Sequence, residues 1–278
     1  MDTRLLQVGH SPDPDDAFMF YALGKGLIPT PGYEIKEILA DIQTLNEWAK
    51  EARLEVTALS AHGYAWVSDQ YALLPYGSSV GDMYGPKIVA HGKMGLGTLK
   101  EKKIAIPGEL TTAYLVLKLA LDEFEFDVVP FQDILGKVQS GEYEAGLIIH
   151  EGQLTYQDYG LEEVLDLGHW WYETTALPLP LGINAVRKNL GANSCQQISQ
   201  WVKASLEYAV SHREEAMAHA LQYAGGVDVQ RVDKFVSMYV NEDSLELREK
   251  TRKGLELLFK LAKEKKLIPE SARVDVVE

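Results

Sequence analysis

Short apolar runs alternate with helical patterns over the first two thirds of the chain. Runs of about four to eight apolar or alternating residues, bounded by glycine, proline or polar residues, are typical of strands. The predicted strands cover residues 5–10, 33–40, 54–59, 87–91, 103–106, 128–130, 145–150, 166–171 and 177–183. Helical patterns occur at residues 17–23, 61–67, 111–124 and 131–139. Strands that alternate with helices predict an α/β protein built on parallel sheets.

One further helix is predicted from a capping box. Thr44 is followed three residues later by Glu47, and this spacing lets each side chain bond a backbone N–H at the start of a helix. We therefore expect the helix that carries Leu45, Trp48 and Ala49 to begin at Thr44.

The pattern changes in the last third of the chain, where long helical stretches with charged outer faces follow one another. They cover residues 198–224, 229–240 and 245–267. The chain crosses between its two β/α regions near residues 87–91 and 177–186, a plan typical of two lobes that close on a ligand. We predict one lobe from residues 1–88 and 184–278, an inserted lobe from residues 89–183, and a ligand cleft between them.

Composition narrows the range of partners. The chain of 278 residues has 46% hydrophobic and 24% charged residues, which is ordinary for a globular protein, and a formal net charge of -14. This acidity argues against nucleic acid and against an anionic membrane surface as partners. A small anionic ligand is still compatible with this negative charge, because backbone N–H groups at helix starts can bind it. The amino-terminal residues contain no long apolar run, so we expect a cytoplasmic protein, either a monomer or a homodimer.

Neither a disulfide nor a metal site is expected. Cys195 is the only cysteine and lies in a polar stretch, so we interpret it as incidental rather than nucleophilic. Asp13, Asp15 and Asp16 follow His10, but this spacing matches no standard metal-ligand pattern. The chain also lacks the glycine motifs that bind nucleotide phosphates and the G-x-S-x-G motif of serine hydrolases.

The predicted strand at residues 145–150 ends on His150, and Gly152 then breaks the chain into a polar segment. Ligands of open α/β sheets gather just past the carboxyl ends of such strands. Imidazole has an unperturbed pKa suited to general acid–base catalysis near neutral pH. Two interpretations of His150 stay open at this point with equal weight: a catalytic base, or a residue that merely caps a core strand.

Polar residues also stand at the other predicted strand-to-helix junctions. A helix start exposes unpaired N–H groups and a partial positive charge, so each junction can bind a carboxylate or a phosphate. The strongest candidate is the group of Thr111, Thr112 and Ala113, which offers two hydroxyl groups after a glycine turn. From the residues alone, an ordinary threonine N-cap is the favoured alternative. The further candidates for substrate binding are Ser11, Asp16, Asp41, Ser60, Glu151 and Gly152.

Three motifs resemble the family of 1,4-dihydroxy-6-naphthoate synthases of the futalosine route to menaquinone. They are H-S-P-D-P-D-D-A-F-M-F-Y-A-L at residues 10–23, I-P-G-E-L-T-T-A-Y-L at residues 106–115 and G-L-I-I-H-E-G-Q-L-T-Y at residues 146–156. The last motif is the most specific, and the resemblance covers almost the whole chain. It implies a fold similar to the type 2 periplasmic binding proteins, which agrees with the two-lobe prediction.

The resemblance also implies an activity. Members of this family are lyases that cleave carbon–carbon bonds of cyclic dehypoxanthinyl futalosine and release the dihydroxynaphthoate and a three-carbon sugar fragment. They need neither a metal nor an organic cofactor. The histidine proposed as the base in their I-I-H-E-G motif maps onto His150. The residues proposed to bind substrate in their T-T-A motif map onto Thr111, Thr112 and Ala113.

One departure from the family pattern adds negative charge to the expected site. Many members read S-P-C-P-N-D in the first motif, where this chain has Asp13 in place of the cysteine and Asp15 in place of the asparagine. The expected substrate carries a carboxylate, so the departure bears on the exact substrate or on the carboxylate isomer of the product.

Three other functions stand as alternatives. A solute-binding protein is compatible with the architecture, since a fold alone does not imply catalysis. The absence of an export signal argues against this alternative. A cytoplasmic sensor of a small carboxylate lacks an attached regulatory domain. Chorismate dehydratase, which has a similar fold, is the second candidate among enzymes, and its Tyr-Leu-Asn-like amino-terminal signature is missing here.

Overall fold

The structure is a computed structural model that describes residues 3–278. Its strands are β1 (Arg4–His10), β2 (Tyr33–Leu39), β3 (Val56–Ser60), β4 (Tyr71–Leu73), β5 (Ser79–Gly81), β6 (Lys87–Ala90), β7 (Ile104–Ile106), β8 (Phe126–Val128), β9 (Ala145–Ile148), β10 (Glu162–Asp166) and β11 (Leu179–Arg187). Its α-helices are α1 (Pro14–Gly24), α2 (Ile42–Lys50), α3 (Ala61–Val67), α4 (Leu96–Lys100), α5 (Thr112–Leu121), α6 (Ile134–Gln139), α7 (Leu167–Thr175), α8 (Ala192–Ser211), α9 (Arg213–Ala220), α10 (Val229–Tyr239), α11 (Glu242–Leu245) and α12 (Glu249–Glu264).

Two sheets organise the fold. The first has the order β2-β1-β3-β11-β4, with β5 paired to β11, and the second has the order β10-β6-β9-β7-β8. β1 is parallel to β2 and β3, and β7 is parallel to β8 and β9, as the alternation of strands and helices predicts. β6 and β11 run antiparallel to their neighbours, and they are the strands by which the chain enters the other sheet. Within residues 3–278, no helix has the length and apolar character needed to cross a membrane.

The sheets place the two crossings of the chain within residues 82–86 and 167–178. The predicted boundaries after residues 88 and 183 fall inside β6 and β11, because a crossing strand belongs to the sheet that it enters. The division into two lobes stays a prediction. The largest hydrophobic cluster contains residues of both sheets, so the sheets share a core.

One strand prediction is wrong. Residues 166–171 form no strand, because β10 ends at Asp166 and α7 follows at once. The Asp166 carboxylate accepts hydrogen bonds from the N–H groups of Gly168 and His169, at 2.9 and 3.0 Å. An aspartate that accepts these bonds is an N-cap and starts a helix.

The predicted capping box at Thr44 is also wrong. Asp41 is the N-cap of α2, and its carboxylate accepts hydrogen bonds from the N–H of Thr44 at 3.0 Å and from the Thr44 hydroxyl at 2.5 Å. The helix therefore begins at Ile42. The Asp41 carboxylate is hydrogen-bonded at this helix start, and its role in ligand binding stays a prediction.

The long helix predicted at residues 198–224 is interrupted at His212, whose backbone leaves the helical region at φ -118° and ψ 47°. The stretch forms α8 and α9 instead, and residues 245–267 likewise contain the end of α11 and then α12. An amphipathic pattern can continue across such a break, so periodicity alone does not reveal it.

The amino-terminal helix α1 begins at Pro14, three residues before the predicted start. Proline suits this position because its fixed φ is that of a helix and its missing N–H is not needed there. The early start brings Asp15 and Asp16 into the first turn, where both are buried.

Candidate functional site

A cavity lies between the two sheets where several strands end. It encloses about 690 Å³, counted with its mouth. Both sheets and the helix α10 contribute to its lining, which comprises Ser11, Asp13, Asp15, Asp16, Ile42, Ala58, Leu59, Ser60, Gly77, Ser79, Pro86, Thr111, Thr112, Ala113, Ile149, Leu181, Gly182, Ile183, Asn184, Phe235 and Tyr239. Parallel strands place their carboxyl ends on one edge of a sheet, so residues distant in sequence meet at this edge.

The cavity brings together most of the residues predicted from the sequence. Those that line it are Ser11, Asp16, Ser60, Thr111, Thr112 and Ala113. Those outside the lining are Asp41, His150, Glu151 and Gly152.

Thr111 is the N-cap of α5, as its ordinary interpretation predicts. Its Oγ1 accepts a hydrogen bond from the N–H of Tyr114 at 3.2 Å and donates one to the carbonyl of Gly108 at 2.8 Å. The single hydroxyl proton is thus used within the protein and is not available to an anion.

The Thr112 hydroxyl is committed in the same way. Its Oγ1 accepts from the N–H of His62 at 3.2 Å and donates to the carbonyl of Leu181 at 2.7 Å. The backbone N–H groups of Thr112 and Ala113 lie in the first turn of α5, where a helix has no internal acceptor for them. These N–H groups, rather than the two hydroxyls that the sequence indicated, are the part of the segment able to hold an anion.

Asn46 is a buried residue that supports the site and that the sequence analysis missed. Its Oδ1 accepts from the N–H of Ser60 at 3.0 Å, and its Nδ2 donates to the Ser60 Oγ at 3.1 Å and to the carbonyl of Leu110 at 3.3 Å. The Ser60 hydroxyl keeps its own proton for a partner in the cavity. The available signal was an asparagine directly beside the apolar positions Leu45 and Ala49 of the predicted helix.

Asp13, Asp15 and Asp16, named here the acidic wall, line one side of the cavity. Asp16 Oδ2 accepts from the N–H of Ser11 at 2.9 Å, and Asp15 Oδ2 accepts from the Ser79 hydroxyl at 3.1 Å. Within residues 3–278, no group of three or more histidine, cysteine, aspartate or glutamate side chains is arranged to hold a metal ion.

Burial raises the pKa of all three carboxyl groups of the acidic wall. It raises the pKa of Asp15 to about 7, with the charge of Asp16 as the second cause. Burial and then the charge of Asp15 raise the pKa of Asp13 well above its ordinary value. Burial also raises the pKa of Asp16, but the charge of His10 and the N–H of Ser11 act against it. Asp16 is therefore the member best able to carry a negative charge.

His10 stands behind Asp16 and donates from both ring nitrogens. Nδ1 donates to the carbonyl of Ser11 at 2.8 Å, Nε2 donates to Oε1 of Glu37 at 3.0 Å, and the ring stacks on Phe20. Burial by itself lowers the pKa of His10, but the hydrogen bond to Glu37 and the charge of Asp16 outweigh burial and raise it. The resulting positive charge lies beside Asp16.

His150 lies outside the lining with both ring nitrogens engaged. Nδ1 accepts from the N–H of Gly152 at 3.0 Å, which places the ring proton on Nε2, and Nε2 donates to the carbonyl of Phe131 at 3.2 Å. This is the geometry of a residue that caps the turn after β9. Its neighbour Ile149 lines the cavity, so the ring is one residue away from it.

The electrostatic environment keeps the His150 ring neutral. Burial lowers its pKa below the ordinary 6.5, and the charge of Glu151, whose Oε2 is 3.7 Å from Nδ1, only partly opposes this. A neutral imidazole is the form that can accept a proton.

Other parts of the lining come from residues that no sequence motif indicated. Tyr239 and Phe235 come from α10, and the Tyr239 hydroxyl donates to Oε1 of Gln153 at 2.9 Å. Asn184 of β11 donates from Nδ2 to the carbonyl of Gly77 at 2.9 Å, while its buried Oδ1 has no hydrogen-bond partner among the described residues. These residues reach the site through tertiary packing, which sequence patterns do not encode.

Comparison with known proteins assigns the chain to a family. A family model described as menaquinone biosynthesis matches residues 6–264. The chain is 41% identical over 268 residues to a 1,4-dihydroxy-6-naphthoate synthase of Thermus thermophilus, covering 96% of this chain and 97% of the relative. It is 34% identical over 276 residues to the synthase of Streptomyces coelicolor, covering 97% and 96%.

Solved structures confirm the fold. A crystal structure of a protein from Archaeoglobus fulgidus has a TM-score of 0.91 at 45% identity and covers 95% of this chain and 98% of its own. The alkanesulfonate-binding protein SsuA from Xanthomonas axonopodis pv. citri has a TM-score of 0.73 at 13% identity, covering 100% and 97%, and shows the fold alone. The predicted α/β fold of the periplasmic-binding-protein type is confirmed. The resemblance seen in the three motifs is confirmed as well, and the chain belongs to the menaquinone-biosynthesis family of 1,4-dihydroxy-6-naphthoate synthases.

Proposed function

We propose that the protein is a cytoplasmic lyase that converts cyclic dehypoxanthinyl futalosine to 1,4-dihydroxy-6-naphthoate and a three-carbon sugar fragment. It acts without a metal or an organic cofactor. The observation that carries the proposal is the cavity itself, which is lined both by the first turn of α5 and by a wall of carboxyl groups. One end suits the aryl carboxylate of this substrate and the other suits its sugar hydroxyls.

Binding begins with the carboxylate. It accepts hydrogen bonds from the N–H groups of Thr112 and Ala113 and from the hydroxyl of Ser60, which Asn46 orients. The partial positive charge at the start of α5 favours this anion. The sugar part then lies toward the acidic wall, because carboxyl groups accept hydrogen bonds from hydroxyls.

His150 is the base of the proposed reaction, and its ring turns toward the cavity when the substrate binds. The turn gives up the hydrogen bonds to Gly152 and Phe131, at a net cost of about 1 kcal/mol each. The neutral ring takes a proton from a sugar hydroxyl, whose oxygen then forms a carbonyl group with its own carbon. The carbon–carbon bond breaks as in a retro-aldol reaction, and its electron pair moves into the carbonyl group of the forming ring. Aromatisation drives the reaction, so the protein supplies a positioned base and excludes water.

A second candidate function is binding of a small carboxylate without turnover. The observation that favours it is the His150 ring, which is hydrogen-bonded at both nitrogens outside the cavity. The fold shared with solute-binding proteins is compatible with both functions.

The decisive experiment incubates purified protein with cyclic dehypoxanthinyl futalosine in the absence of added cofactors. We expect dihydroxynaphthoate, followed by absorbance and identified by mass spectrometry. Tight binding without product would replace the lyase by a binding protein. Absence of both binding and product would point to another substrate of the same family fold.

Loss of a single N–H group at the start of α5 should weaken substrate binding. Thr112→Pro removes this group at the first helical position, where proline is tolerated, and Thr111 before it already has the extended conformation that proline requires. A hydrogen bond to a charged group contributes about 1.5–3 kcal/mol, so KM should rise roughly 10- to 100-fold.

Thr112→Val is the matched control for this prediction. Like proline, valine lacks the hydroxyl that bonds His62 and Leu181, but unlike proline it keeps the backbone N–H group. Steady-state kinetics should therefore show a larger KM for the proline variant than for the valine variant. Equal KM values would contradict the anion site at the start of α5.

A further inference from the structure

The turn that carries His150 is held from two directions. On one side, both nitrogens of the ring are hydrogen-bonded to backbone groups that follow β8 and β9. On the other side, Gln153 of the same turn accepts a hydrogen bond from the hydroxyl of Tyr239 at 2.9 Å. Tyr239 belongs to α10, which packs against α1 and against β5 of the first sheet. This bond therefore joins the His150 turn, which follows the second sheet, to the other half of the molecule.

We propose that Tyr239 and Gln153 form a positioning pair that keeps the His150 turn in place while the ring moves into the cavity. The inference rests on the proposed function, in which the ring gives up its bonds to Gly152 and Phe131. The bond between Tyr239 and Gln153 does not involve the ring, so it is not lost in that movement. Both residues then act on the reaction through His150 and not on the substrate.

The surroundings of Tyr239 fix its ring and its proton. The ring packs edge to face against Phe235 and Tyr84, with 4.9 and 5.8 Å between ring centroids. Tyr84 lies in the first crossing between the sheets, and its hydroxyl donates to the carbonyl of Met238. Burial raises the pKa of Tyr239, so the hydroxyl keeps its proton and serves as a donor. A donor fixed by packing in this way is what a positioning role requires.

Gln153 is polar at a place where packing alone would favour an apolar side chain. The residue is 2% exposed and lies outside the cavity lining, and its Nε2 has no acceptor among the described residues. A buried donor without a partner costs free energy, which an apolar side chain of similar size would avoid. The bond of its Oε1 to Tyr239 is therefore the contact that accounts for an amide at this position.

A second bond between the same parts of the chain provides an internal control. Arg231 lies about two turns before Tyr239 on α10 and forms a bidentate ion pair with Asp158 at the surface. Asp158 belongs to the next one-turn helix after the His150 turn. A pair that only fastened the two halves together would act like this ion pair. A pair that positions His150 would not.

Steady-state kinetics of Tyr239→Phe tests the pair. Phenylalanine keeps the packing of the ring but lacks the hydroxyl. We expect kcat to fall roughly 10- to 100-fold, because a small misplacement of a catalytic group can cost a factor of about 10². KM should stay close to wild type, since the proposed anion site at the start of α5 is unchanged. Arg231→Gln should keep the wild-type kcat, and an equal fall of kcat in both variants would overturn the inference.

Variants of Gln153 separate positioning from a direct contact between Tyr239 and the substrate. Gln153→Met has a similar length but no acceptor, so it should lower kcat as much as Tyr239→Phe. The double variant should be no slower than either single variant, because all three lack the same bond. Gln153→Glu keeps an acceptor for the Tyr239 hydroxyl and should restore most of kcat. Losses that multiply in the double variant would show that the Tyr239 hydroxyl acts on the substrate itself, which would overturn the inference.

Hydrogen exchange without substrate separates this inference from the proposed function. The N–H groups of Gly152 and Gln153 are hydrogen-bonded within the turn, to Nδ1 and to the carbonyl of His150. In Tyr239→Phe they should exchange roughly fivefold faster than in wild type, as the loss of one hydrogen bond predicts. In Arg231→Gln they should exchange at the wild-type rate.

The combined outcomes are distinguishable. Unchanged exchange in Tyr239→Phe would overturn the inference even in an active enzyme, and so would faster exchange with an unchanged kcat. Faster exchange in Tyr239→Phe, together with a wild type that forms no product, would contradict only the proposed function.

Discussion

His150→Ala should lower kcat by about 10²- to 10⁴-fold, the usual contribution of a positioned general base. KM should change little, because the binding groups that we assign at Thr112, Ala113 and Ser60 lie on other elements. The His150 pKa is lowered by burial, so the neutral base form dominates at pH 7 and kcat should not increase further above that pH. Stopped or continuous assays of dihydroxynaphthoate formation give kcat directly.

His150→Asn separates catalysis from the capping role of this residue. The asparagine Oδ1 can still accept the N–H of Gly152, which the His150 Nδ1 accepts at 3.0 Å, but it cannot act as a base. We expect the asparagine variant to melt closer to wild type than the alanine variant and to be as inactive. An asparagine variant with near wild-type kcat would show that His150 only caps the turn after β9.

Of the substitutions that we predict, Gly168→Ala should lower the stability of the fold the most. Gly168 lies in the first turn of α7, and an added Cβ would overlap the backbone carbonyl of Tyr84 in the crossing between β5 and β6. The backbone at Gly168 and the backbone at Tyr84 cannot move apart without disturbing the junction of the two sheets. We expect a loss of about 3 kcal/mol or more, since even milder overpacking costs about 1–3 kcal/mol. This corresponds to a fall in melting temperature on the order of 10 °C.

Gly97→Ala is the control for this substitution. Gly97 lies in the short helix α4, and nothing stands within 4 Å of the position that its Cβ would take. Alanine favours a helix over glycine by up to about 1 kcal/mol, so this variant should melt at or slightly above the wild-type temperature. Calorimetry of the two variants under the same conditions makes the comparison, and similar melting temperatures would refute the close contact at Tyr84.

The sequence pattern was informative where one physical cause acted alone. Short apolar runs predicted β7 and β9 closely, because burial on both faces of a sheet leaves a continuous apolar signature. The edge strand β2 was predicted from its alternation of polar and apolar residues. The prediction failed after Asp166, where the apolar stretch resembles a strand. The Asp166 carboxylate instead caps and starts α7. Local capping decides such cases, and periodicity over so few residues does not.

The site shows the same division between local and distant causes. Ser11, Ser60 and Thr112 were predicted because strand ends and helix starts mark them in the sequence. Asn184 and Tyr239 were not, since they come from segments that reach the cavity only after the chain has crossed twice between the sheets. The orientation of His150 was equally beyond the pattern, which placed the residue near the end of β9 but could not fix its side-chain hydrogen bonds.

Asn46 has a consequence for the kinetics of ligand exchange. It bonds Ser60 at the end of β3 and the carbonyl of Leu110 just before α5, so it joins elements that contribute to two different parts of the cavity lining. Any motion that separates these elements to admit or release a molecule has to break the bond to Leu110. Under the proposed function, the amide that orients the binding hydroxyl therefore also adds to the activation barrier of a product release that separates these elements, which links residence time to affinity through one buried side chain.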